Sequence, residues 1–133
     1  MIEAAKNADA AINAADSDNP FVVITLLSAL AGSGKLFIHT SGSSLVSGKA
    51  AGELSHQVFH EDTPFQPLTE KVGRVAINQR VLAAAQEDVC SVVLCHSLIY
   101  GQGHGIKKSS IQVRALAHRV SQKEWCCSLY RQR

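Results

Sequence analysis

The chain is predicted to be an α/β protein, with a parallel sheet of about three strands flanked by helices. Three short β-prone runs, at residues 10–14, 35–40 and 89–94, alternate with stretches of helical periodicity. Each run feeds a loop of small or polar residues, at 13–17, 41–48 and 95–103. That alternation is the signature of strand-helix-strand crossovers. Apolar residues form 46% and charged residues 18% of the 133 positions, enough for one core and far from the composition of a disordered chain.

The elements follow in order. Residues 2–7, rich in alanine, finish a helix, and residues 10–14 form a buried strand that breaks at the turn-forming run from Asp16 to Pro20. Pro20 is tolerated in a first helical turn, with Asp18 or Asn19 as cap, and Val22, Val23, Leu26, Leu27 and Leu30 recur at helical spacing. A helix over about 20–31 results, stopped by Gly32 and Gly34. The run 35–40 (KLFIHT) is a buried strand entering the small-residue loop at Ser41, and residues 48–65 read as a polar surface excursion. Over 70–86, Val72, Val75, Ala76, Gln79, Leu82 and Ala83 form a stripe that predicts the longest helix. Val89 then opens the third strand, and a glycine-punctuated loop follows from His96.

In a sheet of this kind ligands bind beyond the carboxyl ends of the strands, so those three loops hold the candidate site. The residues there carry a resemblance. Phe37-Ile38-His39-Thr40-Ser41-Gly42-Ser43-Ser44-Leu45-Val46, then Glu61-Asp62-Thr63-Pro64-Phe65-Gln66-Pro67, then Val92-Val93-Leu94 and Leu98-Ile99-Tyr100-Gly101-Gln102-Gly103 resemble successive landmarks of the NAD-dependent epimerase/dehydratase family. These are extended or atypical short-chain dehydrogenases, and the likeness runs from about Asp9 to about Gly105.

The resemblance implies a Rossmann-type domain that binds NAD or NADP and acts as an oxidoreductase or epimerase on an alcohol, aldehyde or nucleotide-sugar substrate. It places the catalytic serine at Ser43, with Ser41 and Ser44 as alternatives. The family's Tyr-x-x-x-Lys falls on Glu70 and Arg74. A carboxylate is ionised at neutral pH and is a poor proton donor there, so Glu70 and Arg74 read first as an exposed i,i+4 pair and only second as catalytic. Carried over by position, Asn13, Ala14 and Ala15 border the adenosine half of the cofactor, His96, Ser97 and Leu98 lie near the nicotinamide, and Ser41 and Gly42 are further cofactor-binding candidates. The family's glycine-rich phosphate turn does not occur before Asp9. Residues 1–106 are therefore expected to be a partial NAD(P)-binding domain with impaired activity, and the alternative is a non-catalytic Rossmann-type binding module. Missing neighbouring strands predict dimerisation or aggregation through an exposed sheet edge.

Other motifs point away from other chemistries. Gly32-Ser33-Gly34-Lys35 follows a helix and precedes a strand, the reverse of a phosphate loop, and Leu36 stands where Ser or Thr is needed. His56 and His60 are four apart but lack a third ligand nearby, so they read as a surface pair and no metal is expected. Cys90 and Cys95 sit in or beside an apolar run and read as small core residues; the adjacent Cys126 and Cys127 fit neither metal spacing nor a disulfide framework. A reducing, cytoplasmic compartment is the expectation, with no membrane-spanning segment. The formal charge of +2 is concentrated after Lys107, making residues 107–133 a basic segment, a helix followed by an atypical tail. Its charges are scattered, with only Trp125 and Tyr130 as stacking groups, which argues for a solvated face rather than a nucleic-acid site. A small-molecule substrate is the expected partner.

Overall fold

A computed structural model describes residues 1–48, 54, 56–97 and 99. Met1–Ser97 forms one compact unit. Within it, the order is α1 (Ile2–Asn7), β1 (Ala10–Asn13), α2 (Pro20–Leu30), β2 (Leu36–Gly42), α3 (Val72–Ala83) and β3 (Cys90–His96). The three strands make one sheet in the order β1-β2-β3. Both pairings are parallel: Ala10 to Asn13 lie beside Leu36 to His39, and Leu36 to Gly42 beside Cys90 to His96. The predicted α/β class and crossover pattern are thus what the chain adopts.

Local chemistry accounts for the boundaries. Asn19 Oδ1 accepts from the backbone amides of Phe21 and Val22 at 3.1 and 3.3 Å, which satisfies two otherwise orphaned donors while Pro20 occupies the first turn. At the other end Gly32 and Gly34 have φ of +71° and +63°, a region that costs other residues dearly. Their amides donate to the carbonyls of Glu87 and Asp88, tying the start of β2 to the start of β3. Gly32-Ser33-Gly34-Lys35 is a helix stop and strand entry, as its order in the chain requires.

Alternation along the strands assigns the two sheet faces. Phe37, His39 and Ser41 point to one side and are buried, alongside Asn13. Against this side pack Val23, Leu27 and Leu30 of α2, Ile77 and Val81 of α3, Ala84, Val89 and Ala5 of α1. Each fully buried Leu, Val or Phe contributes roughly 1.5–3 kcal/mol through loss of contact with water. The other side carries Ile12, Val92 and Leu94, all exposed. Parallel sheets are ordinarily covered on both faces, and here β1 and β3 are also edges. Among the described residues no element covers this second face.

Three expectations need correction. The helix expected over 70–86 is α-helical only from Val72 to Ala83, with 3₁₀ turns at Thr69–Lys71 and Ala84–Glu87 and Asp88 in the left-handed region at its end. Its apolar stripe does not face the core: Val72 and Leu82 are exposed, while Ile77, Asn78 and Val81 are buried. Ile77, Val81 and Ala84 form a second arc with the same spacing, and docking on β2 and β3 chose that one. Cys90 and Cys95 are exposed free thiols rather than core residues, because β3 is an edge strand. No helix among the described residues is long and apolar enough to cross a membrane. Cys126, Cys127 and the whole segment 107–133 lie outside the described residues.

Candidate functional site

Parallel pairing brings the carboxyl ends of all three strands to one rim. Gly42, the last residue of β2, is in register with His96, the last of β3. The chain after Gly42 turns at once into a 3₁₀ turn, Ser43–Val46, which sets Ser43 outward and Ser44 half-buried.

Arg74, from the first turn of α3, reaches this rim. Its Nε donates to Asp18 Oδ1 at 2.6 Å and a terminal nitrogen donates to Asp18 Oδ2, a two-pronged ion pair. The other terminal nitrogen donates to Ser44 Oγ at 3.2 Å. Asp18 is held for this role by the turn before α2, where its own amide donates to Asp16 Oδ1 at 2.9 Å. The guanidinium hydrogen bonds hold the Asp18 carboxyl below its usual range and raise the already high pKa of Arg74. Gly42 lies beside this group: a Cβ there would sit 3.8 Å from Arg74 Nη1 and 4.0 Å from Ser44 Oγ.

Beneath the rim lies a buried polar layer. Asn13, His39, Ser41 and Asn78 are 3, 0, 3 and 8% exposed. Asn13 Nδ2 is 3.2 Å from His39 Nδ1 and 3.3 Å from the Asp16 carbonyl, while its Oδ1 accepts from Ala15 N at 3.4 Å. Asn78 Nδ2 donates to Ser41 Oγ at 3.1 Å. Burial lowers the His39 pKa below 6.5, the nearby Arg74 charge adds to this, and Asp18 opposes it.

The predicted residues divide accordingly. Asn13 and Ser41 are turned into this layer, and Ala14 and Ala15 are exposed. Gly42 and His96 meet at the rim; His96 Nδ1 donates to the Ser97 carbonyl at 3.0 Å. Leu98 lies outside the described residues. Glu70 and Arg74 both line a cleft of about 450 Å³ between α2 and α3, together with Asp18, Val23, Ile24 and Arg80. They do not pair: Arg74 is matched to Asp18, and Arg80 to Glu87. Glu70 sits on the 3₁₀ turn ahead of α3. His56 and His60 are on an irregular exposed segment, where a four-residue spacing does not share a face. Among the described residues no group of three His, Cys, Asp or Glu could hold a metal ion.

Asp18, His39 and Asn78 were the residues the sequence did not single out for the site. Their signal was weak but real: His39 and Asn78 are polar side chains inside otherwise apolar patterns, where burial demands a partner. Comparison with known proteins adds no assignment, for no protein-family model, curated protein or solved structure matches the chain.

Proposed function

We propose that the chain carries a dinucleotide-binding domain of the short-chain dehydrogenase kind, whose rim takes NAD or NADP beside a small alcohol, aldehyde or nucleotide-sugar substrate. The observation that carries this reading is the shared rim: parallel β2 and β3 end together, with Gly42 and His96 side by side and Ser44 and Arg74 above them, and β1 ends three residues short of them at Asn13, opposite His39. A ligand crevice at the carboxyl ends of parallel strands is the common arrangement in open α/β sheets. The residues fit such a group at several points. Gly42 leaves room beside a guanidinium, and the Asn13 to Ala15 turn is held by its own side-chain hydrogen bonds. When bound, the nicotinamide would supply hydride transfer. Ser43, Ser44 and Arg74 are the side chains at hand to orient a substrate oxygen, and Asn13 and Ser41 would support the rim from below.

The second reading, a non-catalytic binding module, is favoured by one observation. Arg74 has its fork filled by Asp18, and Glu70 stands apart on an exposed turn, so the two do not form an acid-base couple. The exposed sheet face and free edges also fit self-association, with a second copy as the partner.

Titration of the purified chain with NADH and NADPH, followed by nicotinamide fluorescence, separates the two readings. Saturable binding that weakens on Gly42→Val supports the cofactor reading. An absence of binding to a folded chain overturns it in favour of the module.

A further inference from the structure

Three buried side-chain atoms among the described residues make no protein hydrogen bond, His39 Nε2, Asn78 Oδ1 and Ser91 Oγ on β3, and the first two, of opposite character, belong to the buried polar layer. Their roles follow from their neighbours. Asn13 Oδ1 is committed to the Ala15 amide, so the atom facing His39 is the Asn13 NH₂, which can only donate. His39 Nδ1 must therefore accept, and the proton of the neutral ring resides on Nε2. On the other side, Asn78 donates through Nδ2 to Ser41, which leaves Oδ1 as a bare acceptor.

The two groups share one layer. His39 and Ser41 are successive inward positions of β2, about 7 Å apart at two residues' rise, and Asn78 is joined to Ser41 from α3. A buried donor and a buried acceptor on the same layer, out of direct reach, are what one water molecule satisfies. We infer that His39 Nε2–H and Asn78 Oδ1 together bind a single internal water, which bridges the central strand to α3. Asn78 is one turn beyond Arg74 on the same helix, so the bridge sets the height of Arg74 above the strand end. It does not depend on the cofactor reading.

Nuclear magnetic resonance on the full chain, labelled with ¹⁵N, tests this, with His39→Phe identifying the imidazole signals. The expected spectrum shows His39 protonated at Nε2 and bare at Nδ1. Water-selective exchange experiments should give cross-peaks from one bound water to His39 Hε2 and to the Asn78 side-chain amide. Asn78→Leu should abolish the cross-peak at His39. A proton on Nδ1, an Hε2 signal lost to fast exchange, absence of a water cross-peak, or a direct scalar coupling from His39 Nε2–H to Asn78 would each overturn the inference. Should Asn78→Leu fail to fold, the spectra of the unaltered chain still decide.

Discussion

Acidification should destabilise this chain through His39. Its imidazole is completely buried, with Nδ1 facing a donor, so a second ring proton would meet an NH₂ group. Burial is the main reason its pKa lies below 6.5, and the charge of Arg74 acts in the same direction. Between the folded pKa and about 6.5 the unfolded chain therefore holds more protons than the folded one. Stability is full above about pH 6.5 and is lost as the pH falls below it, by up to ~1.4 kcal/mol per pH unit until the folded pKa is reached. Urea unfolding at several pH values from about 7.5 to about 5 measures the slope directly. His39→Phe, which retains a flat ring stacked beside Phe37, should remove it. An unchanged slope in that variant would refute the argument, as would stability that rises on acidification. Asp18 acts in a separate window: its lowered pKa means its contribution is present above 3.8 and disappears only at lower pH.

Leu27→Ala, at a side chain fully buried between α2 and the sheet, should cost about 3 kcal/mol or more and lower the urea midpoint. Asp18→Asn should cost less than about 1 kcal/mol, because its carboxylate is more than half exposed, and the cost should shrink in high salt, read by unfolding at two ionic strengths. Gly34→Ala should cost about 1–2 kcal/mol, since φ of +63° is unfavourable for any side chain; a smaller loss in thermal unfolding would mean that the turn relaxes.

Much of the fold could be read from local chemistry. The positions of β1, α2, β2 and β3 follow from short apolar runs, from Asn19 ahead of Pro20, and from two glycines after Ala31. These signals are local, acting over a few residues of backbone. The site was legible in part: Arg74 and the serines after β2 were marked as candidates, and they do meet at the rim. Which serine meets Arg74 was not legible, because a 3₁₀ turn directs Ser43 outward and Ser44 toward the guanidinium.

What the sequence by itself determined is the kind and order of the elements, and hence parallel crossovers, since periodicity and capping are properties of neighbouring residues. Tertiary structure alone decided which arc of α3 faces inward, that Arg74 belongs to Asp18 rather than to Glu70, and that His39 and Asn78 are buried together. Those outcomes depend on how a helix rotates as it docks and on partners as distant as positions 18 and 74. Two apolar arcs on one helix, or two carboxylates competing in the sequence for one arginine, are told apart only by the packing that chooses between them.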